Sequence, residues 1–370
     1  MSEDARRILK RTREPVLFTP ITFRGVTARN RIMMSPMCQY SAEGGLPDDW
    51  HFAHIAARAV GGCGIVCVEA THVTAQGRIT PGCLGIWSDD HRDALARLAG
   101  VIARNGAVPA IQIGHAGRKA SVSRPWEGTQ PIPIGDGGWE TIAPSPVPQS
   151  PDAAPPREMT ADDVAAVVSA FRDGARRARE AGFRILEVHA AHGYLIHSFL
   201  SLLSNRRADA YGGTPENRAR LLMETLDAVR EEWPQELPLF VRISAVDFRE
   251  GGLTLADSVA LARMLKARGD VDLVDCSGGG VAHDQAIHPY PGYQVPFAEA
   301  IRRETGMATG AVGLISAPQH AEEIVAGGRA DLVILGRVLL NDPYWPMRAA
   351  KALRATSLPW PVQYERGDIY

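Results

Sequence analysis

Cysteine is scarce in this chain and its spacing is uninformative. The five residues (Cys38, Cys63, Cys67, Cys83 and Cys276) are odd in number, scattered, and never spaced as CxxC. That excludes a zinc ribbon and gives no support to a cluster held by four thiolates. Reduced thiols in a cytoplasm are the expectation. Long apolar runs are missing too, none approaching the roughly 20 residues of a membrane helix, so no membrane partner is expected. No basic block occurs and the formal net charge is −2, which leaves no electrostatic footprint for nucleic acid. Met1 to Glu14 is polar and rich in Arg but has no apolar core of a secretion signal. Residues 1–16 therefore read as an N-terminal extension. GxGxxG is absent as well, which argues against an open dinucleotide-binding sheet.

What is present is a globular composition, 45% apolar and 22% charged over 370 residues, with ample length for a core. Short β-rich runs alternate with helical patterns. Strands are expected near residues 32–35, 65–69, 108–113, 185–189, 239–243, 273–276, 308–311 and 332–335. Amphipathic spacing places helices through Val164, Val167, Val168 and Phe171, and through Leu221, Leu222, Thr225 and Val229. Gly61, Gly106, Gly182, Gly269 and Gly327 are candidate left-handed helix ends. Thr160 with Asp163 gives a capping-box start, and Trp50 and His54 are expected to pack the first helix. Eight β/α units on one chain favour an α/β fold: a single (β/α)8 TIM barrel over residues 17–357. One connection is too long for an ordinary βα loop. Residues 117–159, rich in Pro and Gly, follow the third strand and read as a lid or capping segment over the barrel mouth.

In such a barrel the chemistry belongs at the C-terminal strand ends. The segment VHAAHGYLIHSFLSLLSNRRADAYGG, Val188 to Gly213, follows the fourth strand and holds His189, His192 and Tyr194. Two imidazoles three apart could bind metal, donate hydrogen bonds to one oxygen, or be satisfied core histidines. A phenol with a reference pKa of about 10 stays protonated at neutral pH and can act as an acid. GAVG (Gly310 to Gly313) and LGR (Leu335 to Arg337) follow strands seven and eight, where barrels frequently bind phosphate. Arg31, Arg118, Lys119 and Arg218 are expected in barrel-end ion pairs or loop contacts.

SPMCQYSAEG (Ser35 to Gly44), IGHAGRKAS (Ile113 to Ser121), SNRRADAYGGTPENR (Ser204 to Arg218) and PVQYERG (Pro361 to Gly367) occur in this order. Together they resemble the old yellow enzyme family of flavin-dependent ene-reductases, in the bacterial branch with a cysteine at the end of its first strand. The resemblance runs from Leu17 to Gly367.

The resemblance implies FMN as cofactor and NADPH (or NADH) as reductant, with ping-pong use of one pocket. It implies that His189 and His192 bind the substrate carbonyl, that Tyr194 delivers a proton, that Cys38 tunes the flavin, and that Tyr40 helps bind substrate. Ser35, Pro36, Met37, Cys38, Ala70, Gln112 and Arg242 would contact the flavin ring. Gly310, Gly313, Gly336 and Arg337 would hold its phosphate. Acceptors would be enones or enals, maleimides, quinones or nitro compounds. Residues 358–370 would form a tail carrying Arg366 into a neighbouring subunit's site, in a homodimer or homotetramer. The chain departs from the pattern by continuing through Asp368, Ile369 and Tyr370. Three rivals remain: a larger flavin reductase of dienoyl thioesters, a flavin-free barrel lyase or isomerase acting on a phosphorylated substrate, and a barrel that only binds ligand.

Overall fold

The structure is a computed structural model that describes residues 14–151 and 153–367. Residues 1–13 of the expected extension and Asp368 to Tyr370 of the tail lie outside the described residues. Eight strands close into one barrel: β1 (Ile32–Met34), β2 (Ile65–His72), β3 (Val108–Gly114), β4 (Ile185–Ala190), β5 (Leu239–Ser244), β6 (Leu273–Ser277), β7 (Ala308–Ala311) and β8 (Leu332–Leu335). Each pairs in parallel with the next, and β8 pairs with β1. These strands are covered on both faces, which is why they appear in sequence as continuous apolar runs. The fold is the (β/α)8 barrel expected from the alternation.

The outer layer contains α1 (Asp49–Val60), α2 (Asp89–Arg104), α3 (Ala161–Glu180), the short α4 (Leu195–Leu200), α5 (Pro215–Glu232), α6 (Leu255–Arg268), α7 (Val295–Thr305) and α8 (Pro318–Ala326). Val164, Val167 and Phe171 bury one stripe of α3, and Leu221, Leu222, Thr225 and Val229 one stripe of α5. Thr160 and Asp163 form the expected capping box. A hairpin, Ile21–Phe23 with Val26–Ala28, closes the opposite end of the barrel; Phe23 meets Phe240 edge to face at 5.1 Å.

Two local expectations need correction. Gly106, Gly182 and Gly269 are left-handed, but Gly61 and Gly327 are not. Each is followed by a second glycine, and Gly62 (φ 105°) and Gly328 (φ 69°) take the left-handed turn instead. His54 is buried in α1, whereas Trp50 is exposed and donates from Nε1 to Gln39 Oε1 at 3.0 Å. Of the two roles expected of Arg31, Arg118, Lys119 and Arg218, the loop contacts are found: each binds backbone carbonyls, and none forms an ion pair among the described residues.

Residues 117–159 fold as three single-turn helices (Gly117–Lys119, Pro125–Glu127, Ile134–Asp136). A two-residue strand, Ile142–Ala143, pairs with Arg157–Glu158. Under this excursion lies a cavity of about 860 Å³, whose wall includes Ile79, Lys119, Trp139, Tyr40 and Tyr194.

Candidate active site

The strand ends converge on a second cavity of about 740 Å³. Its floor and one wall come from the segment after β1: Ser35, Pro36, Met37, Cys38 and Tyr40. Ala70 of β2, Gln112 of β3, His189 of β4, Arg242 of β5 and Ser277 of β6 supply the centre. Gly313 and its neighbours after β7, with Gly336 and Arg337 after β8, form the far end. Tyr40 and Tyr194 border both cavities.

Gly310 does not line this site. It lies inside β7 in register with Asp275, and a Cβ there would come within 2.3 Å of Ile334 Cδ1. It is kept small for barrel packing. Arg366 is also away from its own chain's cavity. It sits in a short 3-10 helix, Val362–Gly367, whose Tyr364 ring packs near Tyr344 at 6.0 Å.

Register sets the polar centre. Gln112 pairs with Glu187, His189 with Arg242, and Arg242 with Asp275, so these side chains face the barrel interior together. Arg242 Nε lies 3.1 Å from Asp275 Oδ2 but makes no well-directed hydrogen bond. The Gln112 amide donates from Nε2 to Glu187 Oε1 at 2.8 Å, leaving its own oxygen for another donor. Two carboxylates thus share one guanidinium in a dry interior. Burial, reinforced by Asp275, holds the Glu187 carboxyl up to about 8, and burial raises Asp275 as well. Glu187 and Asp275 were not singled out from sequence.

His189 accepts from Ala191 N–H at Nδ1 (3.1 Å), which puts its proton on Nε2. That Nε2 lies 3.4 Å from His192 Nδ1, and the rings meet edge to face at 5.2 Å. Burial first, then the charge of Arg242, holds both imidazoles well below their usual range, so they are neutral donors and acceptors. Tyr194 stands with its ring centroid 4.9 Å from that of His189. Burial, with Cys38 and Tyr40 nearby, pushes its phenol well up, so it keeps its proton. Burial and Glu69 likewise hold Cys38 as a thiol, which is not a nucleophilic form. Among the described residues, no three His, Cys, Asp or Glu side chains are grouped to hold a metal ion.

The loop carrying this triad is anchored from behind. His192 is left-handed (φ 60°), an unusual state for a non-glycine residue. Its N–H donates to Ser244 Oγ at 2.9 Å and its carbonyl accepts from Lys119 Nζ at 2.8 Å. Gly193 N–H donates to His197 Nδ1 at 2.8 Å, and His197 Nε2 lies 3.0 Å from buried Asp247. The SNRRADAYGG segment acts as a brace rather than as chemistry. Asn205 Nδ2 bonds the carbonyls of Phe199 and Tyr211, and Arg218 bonds that of Leu200, fixing the end of α4.

The sequence pattern of the NADH:flavin oxidoreductase / NADH oxidase family matches residues 16–356. The chain belongs to that family. An NADPH dehydrogenase of Geobacillus sp. (strain WCH70) is 55% identical over 356 residues, covering 96% of this chain and 99% of that protein. The NADPH dehydrogenase of Bacillus subtilis (strain 168) is 49% identical over 353 residues, covering 95% and 98%. Among solved structures, morphinone reductase superposes with a TM-score of 0.76 at 26% identity, covering 95% of this chain and 93% of that one. The old yellow enzyme homologue from Zymomonas mobilis gives 0.75 at 27% identity, covering 92% and 94%. A 2-naphthoyl-CoA reductase gives 0.82 at 29% identity, but the match covers only 52% of that longer chain.

The chain is therefore an FMN-dependent oxidoreductase of the old yellow enzyme type that uses a reduced nicotinamide. The flavin-free and binding-only rivals fall with the family assignment. The residues present fit FMN. Ser35 to Cys38 and Ala70 would flank the ring, and Gln112 and Arg242 would meet its polar edge. Gly313, Gly336 and the exposed Arg337 would meet the phosphate; no side-chain partner competes for Arg337 among the described residues. Sequence reasoning missed Tyr293 and Gln294, which enter the cavity from the long loop after β6. Only the length of that loop could have pointed to them.

Proposed function

We propose that this enzyme reduces the C=C bond of α,β-unsaturated carbonyl compounds at the expense of NADPH or NADH. When bound, FMN supplies the hydride that reaches the substrate β-carbon. His189 and His192 hold the carbonyl oxygen, and because both are neutral they donate hydrogen bonds without protonating it. Electron density leaving the β-carbon collects on that oxygen as an enolate, where fixed donors are worth most. Tyr194 then gives its phenolic proton to the α-carbon, and solvent restores it. Lys119 Nζ, 5.2 Å from the Tyr194 ring, tempers the phenolate formed in that step. Nicotinamide and enone would use the same histidine pair in turn, hence ping-pong kinetics.

In this proposal Tyr40 and residues 117–159 cover the substrate chamber, and Arg366 completes it from a neighbouring subunit in a homodimer or homotetramer. Enals, maleimides, quinones and nitro compounds are the other acceptor classes to try. The observation that carries the proposal is the cluster itself: two neutral imidazoles and a protonated phenol, within 6.4 Å of one another by ring centroids, on one cavity wall. The test is anaerobic stopped-flow reoxidation of NADPH-reduced enzyme by 2-cyclohexen-1-one. Reoxidation that yields cyclohexanone supports the assignment. Rapid reduction by NADPH with no reoxidation by any enone or enal would remove it.

A further inference from the structure

For two imidazoles to grip one oxygen, each must point an N–H at it. His189 satisfies this, since Ala191 N–H occupies its Nδ1 and its proton is on Nε2. His192 presents Nδ1 toward His189 Nε2, at 3.4 Å. Its own Nε2 faces away, 2.7 Å from Ser277 Oγ. A neutral His192 therefore has two states with opposite consequences. With its proton on Nε2, it donates to Ser277 and offers a bare Nδ1. That Nδ1 can absorb the His189 proton, and the pair then has no donor left for a ligand. With its proton on Nδ1, Nε2 is bare and must be satisfied by a donor, and both histidines are then free to donate forward.

Ser277 is the group that can decide between them. Its hydroxyl is both donor and acceptor, it is buried at the end of β6, and His192 Nε2 is its one side-chain partner among the described residues. The His192 backbone leaves the ring little freedom to turn away: its N–H is tied to Ser244 and its carbonyl to Lys119. Ser244 is itself committed, donating to Gly279 O at 2.7 Å, so it does not compete for the ring.

We propose that Ser277 is a positioning residue that donates its hydroxyl proton to His192 Nε2 and so fixes His192 as the Nδ1–H tautomer, making the His189–His192 pair a double donor. The proposal rests on the assignment of that pair to a substrate oxygen, and it concerns a residue that touches the reaction only through His192.

The test is tautomer-resolved NMR of FMN-loaded, oxidised enzyme labelled with 15N-histidine. His192 signals are assigned by their loss in His192→Asn. Spectra are taken free and with 2-cyclohexen-1-one, without reductant. The expected result is His192 with Nδ1 protonated and Nε2 bare in the wild type. That pattern should be lost or mixed in Ser277→Ala and restored in Ser277→Thr, which keeps the hydroxyl. KM for the enone should rise on the order of tenfold in Ser277→Ala and recover in Ser277→Thr. Wild-type His192 protonated on Nε2 would overturn the proposal without any variant. An unchanged Nδ1–H signal in Ser277→Ala would overturn it too. An enone that leaves both histidine signals unmoved would instead sink the assignment of the pair to substrate, while the free spectrum still judges Ser277.

Discussion

At the scale of single residues, the site separates the group that gives the proton from the groups that hold the oxygen. Tyr194→Phe removes the phenol and leaves the apolar ring, so the reductive half-reaction with NADPH should be spared. Reoxidation by 2-cyclohexen-1-one should slow by about 10²-fold or more, the usual contribution of a positioned acid. Stopped-flow absorbance resolves the two phases, and an unchanged second phase would remove Tyr194 from the acid role. The interior carboxylates make a separate prediction about pH. Glu187 has its folded-state pKa raised to about 8 from a reference of 4.5, by burial and then Asp275. Between those values the folded protein binds a proton that the unfolded chain releases, so this residue makes stability fall as pH rises from 4.5 toward 8. Glu187→Gln keeps an acceptor for Gln112 and removes the titration. Its Tm should gain on the wild type by a few degrees between pH 5 and pH 8. Parallel Tm curves across that range would show that Glu187 is ionised in the folded state. Neither this titration nor the Ser277 contact can be read from sequence, because both depend on which residues of separate strands and of the loop after β4 are brought together.

At the scale of elements, the site is held where two loops meet backbone to backbone. A Cβ on Gly193 would lie 2.2 Å from Gly280 O, and one on Gly280 would lie 2.5 Å from His192 Cα; both glycines are left-handed, at φ 74° and 96°. Gly280→Ala should therefore push the loop after β4 away from the loop after β6. It should cost about 1–3 kcal/mol of backbone strain and reduce enone turnover more than flavin content. Thermal unfolding and bound-FMN absorbance, read beside activity, check this; full enone activity would show that the loops can part without harm. The strands themselves were legible because a parallel barrel buries both faces, and some carry an informative polar residue near the C-terminal end, as β4 carries His189 and β5 Arg242. Motif spelling led to the right loops but not to each residue's task. Gly310 was placed with the phosphate groups although it is a packing glycine, and the SNRRADAYGG segment turns out to be a brace. Tyr293 and Gln294 escaped because the loop after β6 brings them in from far beyond a strand end. In the glycine pairs Gly61–Gly62 and Gly327–Gly328, sequence marks a helix end but not which of the two turns left-handed.

At the scale of the whole molecule, one chain carries the histidine pair, the phenol and the cofactor residues, while Arg366 stays outside its own cavity on an exposed terminal turn. If that arginine works in a neighbouring site, as proposed, its loss and the loss of Tyr194 reside on different chains of a shared site. Arg366→Ala and Tyr194→Phe should then each be poor in enone turnover as pure proteins and complement one another after subunit exchange. In a mixed dimer, the site on the Arg366→Ala chain has its own Tyr194 and receives the partner's intact arginine, so one site of the two is whole. Random reassortment of a symmetric dimer should thus restore on the order of a quarter of wild-type activity. An arginine acting within its own chain gives no recovery, because the Arg366→Ala chain then lacks it wherever it goes. A solvated terminal charge gives a third pattern, in which Arg366→Ala alone retains full activity. The three patterns are distinct in a single mixing experiment, provided that exchange is followed independently with a size tag on one chain.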